Sequence, residues 1–355
     1  MQAIALALLA VSYAFGLVAR GDDGQTDRRD QARVEDALRR EGDALAGIAD
    51  AVLAGRGAPA DFTLAWRNDF FKAQPGTFVP FTVSFDALSL SSRAAMLYVR
   101  VERQGDKPAQ GRRGQAPVYE TIFPVRIDTA GGRLAHLTRG FAVPPGRYRV
   151  VVVVRETAQD PGDALPMRKT GALVRELNVP DFWTGELAIS TVVLADRVEP
   201  LRRAIPADEL DEDPYVVGTN RIHPAAGSTL ARNRELIVVF LVYNPAVGVD
   251  KHFDVQVDYH VYRKNQEGEP VEGTAPEGKG ARAGERYVTR TNPQRFNPSM
   301  MGLGFDPAAG TPVLAGQGIL LAGFDSGDYR LEITVTDLLS RKSLSRDVTF
   351  AVIGL

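Results

Sequence analysis

A short motif occurs twice in this chain, and no other feature restricts its fold as much. Gly146-Arg147-Tyr148 leads into Val150–Val154, and Gly327-Asp328-Tyr329 leads into Leu331–Val335. In each copy a Gly frees the backbone for a tight turn, a Tyr follows two residues later, and apolar residues then alternate. Val150, Val152 and Val154 match Leu331, Ile333 and Val335, and the tyrosines lie 181 positions apart (329 − 148). Turn, Tyr and alternating strand suit the corner before a late strand of a sandwich, where the Tyr hydroxyl ties the corner to nearby backbone. The fold expected is all-β, with two tandem immunoglobulin- or fibronectin-III-like antiparallel sandwiches at residues 59–182 and 183–355, preceded by an amphipathic helix.

Length agrees, since 355 residues exceed what a single core commonly serves. Phe62, Leu64 and Trp66, then Val79, Phe81, Val83 and Phe85, alternate on either side of Gln74-Pro75-Gly76, as strands with one inward face do. Leu97, Val99 and Val101 continue the first half, and Gln104–Gln115 reads as a polar loop. Val118–Ile127 and Leu134–Val143 read as a strand pair joined by Gly131-Gly132. In the second half Ala188–Leu194 opens the sandwich, and Glu199–Arg234 reads as a long connection with little periodicity. Leu236–Tyr243 (LIVVFLVY) is a strand buried on both faces and stopped by Asn244-Pro245. Val255, Val257, Tyr259 and Val261 match Leu97–Val101, so the two halves correspond beyond the Tyr corner. Asp337–Arg341 reads as the turn into a last strand through Val348, Phe350 and Val352.

One difference between the copies carries information. Val151 and Val153 stand where the second copy has Glu332 and Thr334, so the first copy's strand is apolar on both faces. Either the helix or the second domain is expected to cover the extra face, because a solvated run of five valines invites aggregation. That helix, residues 25–58, is read from Val34, Leu38, Leu45, Ile48, Val52 and Leu53 at helical spacing, with Gly55, Gly57 and Pro59 ending it. It is expected against the first sandwich, a coiled-coil arm being the alternative. Ahead of it Ala3–Ala19 is an uncharged apolar run followed by Arg20, Asp22 and Asp23. Residues 1–24 are expected to be a secretory signal peptide, with a retained N-terminal anchor as the alternative. The junction Val179–Gly185 is too short and apolar for a flexible tether. Trp183 is expected there as a hydrophobic wedge between the domains, a sugar-stacking platform being the other reading.

A net charge of −2 offers no field for nucleic acid, and the absence of Cys excludes disulfides, thiolate zinc sites and cysteine nucleophiles. The 4 histidines, His136, His223, His252 and His260, have no ligand-like spacing, and His260 is placed on an outward strand face. With no Gly-x-Ser-x-Gly elbow and no His paired to a recognisable nucleophile, no catalytic residue and no cofactor is expected. Asp208, Asp211 and Asp213, with Glu209 and Glu212, form an acidic cluster of candidate calcium ligands; it lacks the Gly of an EF-hand loop, and a solvated loop is the competing reading. Gly273–Gly280 (GTAPEGKG) fits the first seven positions of a phosphate-binding loop, but Gly replaces the Ser or Thr that would hold magnesium. Gly302-Leu303-Gly304 lacks the third glycine of a dinucleotide fingerprint.

Gly327–Asp337, Lys342-Ser343 and Val348, together with Phe71-Lys72-Ala73-Gln74-Pro75-Gly76-Thr77, resemble the β-sandwich region of secreted bacterial proteins related to von Willebrand factor A, without the A domain itself. The resemblance implies export and a surface or assembly role. The reading is an exported, non-enzymatic module of the cell envelope or extracellular space that binds a protein partner or self-assembles. Carbohydrate binding through exposed aromatics such as Tyr98, Tyr262 or Phe71 is the alternative, and exposure discriminates the two.

Overall fold

The computed structural model describes residues 26–354 except 75, 106–116, 128–131, 159–167, 266–279 and 302–304, with side chains from Asp36 onward. The proposed leader, most of Gly273–Gly280, Gly302-Leu303-Gly304 and most of Gln104–Gln115 lie outside the described residues. Helix α1 spans Thr26–Leu53. As far as Gly47 it belongs to one compact unit, in which Arg39 and Arg40 both pair with Asp36 along its exposed face; residues 48–355 form another.

In the larger unit eight strands build the first sandwich: β1 (Ala65–Asn68), β2 (Phe71–Lys72), β3 (Thr77–Asp86), β4 (Ala94–Arg103), β5 (Tyr119–Arg126), β6 (Leu134–Val143), β7 (Gly146–Thr157) and β8 (Thr170–Val179). A sheet in the order β5-β4-β7-β8 faces a second in which β1, β2 and β6 all pair with β3. The second sandwich contains β9 (Ala188–Ile189), β10 (Val193–Pro200), β11 (Val216–Val217), β12 (Asn220–Pro224), β13 (Thr229–Ala231), β14 (Glu235–Tyr243), β15 (Val255–Lys264), β16 (Glu285–Arg290), β17 (Gln294–Phe296), β18 (Val313–Leu320), β19 (Gly327–Asp337) and β20 (Lys342–Ile353). Its sheets run β13-β20-β19-β15-β16, with β17 also on β15, and β11-β12-β10-β14-β18, with β9 on β14. Among the described residues all strand pairings are antiparallel except β13 with β20. Alternate residues of facing strands fill each core: Val79, Phe81, Leu97, Val99, Phe141, Val150 and Val152 in one, Val238, Phe240, Val257, Tyr259, Leu331 and Ile333 in the other.

The two Tyr corners are the same device. The Tyr148 hydroxyl donates to the Pro144 carbonyl at 2.7 Å, and the Tyr329 hydroxyl donates to the Asp325 carbonyl at 2.7 Å, four residues back in both. Gly146 and Gly327 have φ of 149° and 150°, a region open in practice only to glycine. An arginine closes each corner from the neighbouring strand, Arg103 donating to the Pro145 carbonyl and Arg263 to that of Ser326.

Four expectations need correction. β5 and β6 are no hairpin, because β5 pairs with β4 and β6 with β3 across the sandwich; of the glycine pair read as their joint, Gly131 lies outside the described residues. Glu199–Arg234 contains the end of β10 and all of β11, β12 and β13, and strands of two to five residues are too short for alternation to be counted. His260 does face outward, yet it is buried beneath Tyr287. Trp66 lies on the inner side, stacked on Phe81 at 4.6 Å, but Trp183 is no buried wedge: its indole N–H donates to the carbonyls of Ala73 and Gly76, which holds the ring at the surface, 46% exposed. Phe182 takes the buried place instead, its ring 5.0 Å from that of Tyr243.

The doubly apolar strand β7 is covered by the end of the helix. Asp50 accepts from Arg100 at 2.7 Å, and Arg100 is the cross-strand neighbour of Val151. Ala49, Val151 and Val153 are all fully buried.

Candidate functional site

Two places in residues 48–355 concentrate polar groups that the fold has buried for a purpose. The first is the joint between the sandwiches. The turn end of the first, with Phe70, Phe71, Phe78 and Phe182, sits on the outer face of β10, β12 and β14, where Val193, Ile222, Val239, Leu241 and Tyr243 form one apolar cluster with it. This explains why β14 is apolar on both sides: one face fills its own core and the other fills the joint. Phe71 meets Tyr215 edge-on at 6.1 Å, an arrangement aromatic rings favour. Polar ties lock the register of the joint. Phe70 and Thr191 exchange two hydrogen bonds, the Lys72 amide donates to the Tyr243 hydroxyl at 3.0 Å, and the Lys72 ammonium reaches Asn244 at 2.8 Å while lying 4.3 Å over the Trp183 ring.

Two Tyr–Asp pairs cross this joint in opposite senses. Tyr215 of the second sandwich donates to Asp69 of the first at 2.5 Å, and Tyr119 of the first hydrogen-bonds Asp211 of the second. Burial pushes both carboxyls above the usual carboxylate range, and the tyrosine hydroxyls act against that shift. Asp211 thus leaves the proposed calcium set. Asp213 is paired with Arg221 at 2.6 Å and Asp208 lies exposed in a short 3₁₀ turn, so the three do not converge. Among the described residues no group of three or more His, Asp or Glu is placed to hold a metal ion.

The second place is the loop-bearing end of each sandwich, opposite the Tyr corner. Register brings the β3–β4 connection and the ends of β5 and β7 together, since Ala94 pairs with both Arg126 and Thr157. There Glu156, fully buried, accepts hydrogen bonds from the amides of Ser91, Ser92 and Lys169. In the second sandwich Asp337, also buried, accepts from the amides of Ala246, Leu339 and Ser340 and from the Ser340 hydroxyl. Glu156 and Asp337 are themselves 181 positions apart, so the duplication includes a buried carboxylate that staples two loops in each copy. The repeat offset was the signal that could have found it. Beside Glu156 lies a cavity of about 430 Å³ lined by Ala87, Leu88, Leu90, Ile127, Arg93 and Arg133 among others.

No family model matches the chain, and no curated protein matches it. Among solved structures it is similar to the crystal structure of Salmonella alpha-2-macroglobulin reacted with methylamine, at 12% identity and a TM-score of 0.20, over 81% of this chain and 16% of that one. That score is too low to carry an argument.

The remaining candidate groups divide plainly. Tyr98, Tyr262 and Phe71 are 2%, 0% and 5% exposed, so none offers a face to sugar. Tyr98 hydrogen-bonds Glu120, and Tyr262 lies beneath Arg330, whose guanidinium is 4.2 Å away. His136 does have a hydroxyl partner: Nδ1 lies 2.8 Å from Ser84 Oγ. The two are direct cross-strand neighbours on the outer face of β3 and β6, beside the similar pair Thr82–Thr138 at 3.0 Å, and both read as sheet contacts. His223 pairs with Glu199 at 2.9 Å diagonally across β10 and β12, where its direct neighbour is Arg197.

Proposed function

We propose that this chain is a non-enzymatic exported module whose two packed sandwiches serve as a protein-binding or assembly unit of the cell envelope or extracellular space. The aromatic joint is the observation that carries this reading. A buried cluster reinforced by two Tyr–Asp pairs and the Lys72–Tyr243–Asn244 ties holds the sandwiches in a fixed mutual geometry, as a scaffold for a partner requires. Both loop-bearing ends are held by buried carboxylates, which presents loops in one conformation and lowers the entropy lost on binding. The apolar leader-like segment Ala3–Ala19 supports export. The carbohydrate alternative loses its named aromatics to burial.

A tagged chain beginning after residue 24, used as bait on its own organism's envelope fraction and on a glycan array in parallel, tests this. Stoichiometric recovery of one protein, or of the chain itself, is expected with no glycan binding; glycan binding without protein recovery refutes the proposal.

A further inference from the structure

We infer that the loop-bearing end of the first sandwich is a docking cradle for a protein segment in which a large apolar side chain lies next to a carboxylate. The inference deepens the protein-binding reading above and rests on it.

Three observations converge. Leu88 is 72% exposed on a 3₁₀ turn that is fixed at its start by Asp86, whose side chain accepts from the Leu88 amide. It stands at a cavity of about 430 Å³ whose apolar wall includes Leu90 and Ile127, room for a side chain or two. An apolar residue this exposed borders a site that is open to the surface. A small molecule is usually enclosed on most sides, whereas a peptide laid across the end of a sandwich is not.

Charge selects the occupant. Among the described residues around the cavity the carboxylates are already engaged: Asp86 is paired with Arg133, and Glu156 accepts three backbone amides. Arg93, on the cavity rim, is exposed and its side chain has no hydrogen-bond or ion-pair partner among the described residues. The Lys169 ammonium adds a second positive charge nearby, directed at the Ser89 carbonyl. A cradle with spare cations and an apolar wall complements an acidic and apolar segment, and opposes a basic one. Stapling by Glu156 fixes the Ser91-Ser92 backbone beneath the rim, so the cradle is formed before a partner arrives.

The test is peptide display on the full-length chain at physiological salt, followed by fluorescence anisotropy with the best enriched peptide. Enriched sequences should place Asp or Glu within a few residues of Leu, Phe, Met or Trp. Binding should weaken about tenfold or more with Leu88→Asp and with Arg93→Glu, and remain unchanged with Val249→Asp at the corresponding end of the second sandwich. A peptide whose acidic residue is replaced by Lys should regain affinity for Arg93→Glu, an outcome that misfolding cannot give. Enrichment of peptides lacking carboxylates, equal binding to Leu88→Asp and Arg93→Glu, or no enrichment at all overturns the cradle. If the envelope fraction still yields a partner in those cases, only this assignment falls; if it yields none, the protein-binding reading falls as well.

Discussion

Replacing Tyr215 by Phe removes the hydroxyl that faces Asp69 at 2.5 Å and leaves the ring, which meets Phe71, in place. Asp69 is almost fully buried, so its ionised form then has no neutral donor, and only Arg67 acts to favour the charge. A hydrogen bond to a charged group contributes about 1.5–3 kcal/mol, and one between neutral groups about 0.5–1.5 kcal/mol. The cost of Tyr215→Phe should therefore be about 2–3 kcal/mol at pH 8 and about 1 kcal/mol once Asp69 is protonated. The direction of the wild-type pH dependence follows from the same group. Burial raises the folded-state pKa of Asp69 above its unfolded value of 3.8, and burial acts on Asp211 in the same direction. Each thus contributes stability that is complete below pH 3.8 and is lost as pH rises through the folded pKa. Asp69→Asn should flatten that fall. Urea unfolding from pH 4 to pH 8, followed through Trp183 in a Trp66→Phe background, reads the joint directly, because the Trp183 indole is bonded to the 73–76 turn and lies under Lys72. A double-mutant cycle of Tyr215→Phe with Asp69→Asn should show coupling that grows with pH. Equal cost of Tyr215→Phe at both pH limits, or an unaltered pH slope in Asp69→Asn, refutes the reasoning.

The matching corners predict matching costs: Tyr148→Phe and Tyr329→Phe should each lose about 1 kcal/mol in urea unfolding, and a clear inequality would mean that the corners are not equivalent. Gly146→Ala and Gly327→Ala should cost about 1–3 kcal/mol from backbone strain, with Gly327→Ala the worse because a Cβ there would lie 3.1 Å from Arg263 Nε, against 3.4 Å from Arg103 Nη2 at Gly146. Burial pushes the Asp337 carboxyl up, but the Ser340 hydroxyl and the Ala246, Ser340 and Leu339 amides outweigh it and hold the carboxyl below 3.8. Its contribution is present above pH 3.8 and lost as pH falls through the folded value, so amide exchange at Ala246 and Leu339 should gain in strongly acid solution relative to other loops. Ser84→Ala should leave any hydrolysis of p-nitrophenyl esters unchanged; loss of such activity would make the Ser84–His136 contact catalytic rather than structural.

How much of this could be read from residues alone depends on the period of the signal. The strands around both Tyr corners were legible because alternation and a glycine with a special φ leave a local imprint, as was helix α1, from spacing along one face. Glu199–Arg234 was not, because strands of two to five residues end before period two can be counted. Sheet assignment also escaped: a glycine pair in the sequence suggests a turn but does not say whether the next strand joins the same sheet, and β5 and β6 belong to different ones. The Tyr–Asp pairs across the joint are 146 residues apart for Tyr215 and Asp69, a separation that no local pattern encodes. Glu156 and Asp337 were within reach, since the 181-residue offset that aligned the tyrosines also aligns the carboxylates eight residues beyond them.

Where the copies part company shows which surfaces the fold itself had to close. At matched positions on the outer face, the first copy has Arg149, Val151 and Val153, and the second has Arg330, Glu332 and Thr334. The valines are closed by the helix end through Ala49 and the Asp50–Arg100 pair. In the second copy no helix is needed, because Arg330, 3% exposed, is bonded to Glu285, Glu332 and Asp347 and lies over the Tyr262 ring. A buried guanidinium with three carboxylate partners holds a sheet face together without apolar cover, while an unpaired one would cost several kcal/mol. The sheet edge at β8, and that along β20 ahead of Ala351 where β13 begins to pair, follow the same logic in a different form. Arg175 and Arg346 sit at core-facing positions, opposite Val150 and Ile333, and an inward charge on an edge discourages another strand from adding there. Exposed apolar side chains then divide between the two ends: Leu320 and Ile353 stand toward the Tyr corner of the second sandwich, whereas Leu88 and Leu339 stand on the loop-bearing ends with their amides held by Asp86 and Asp337, so that a partner using apolar contact meets them in one conformation.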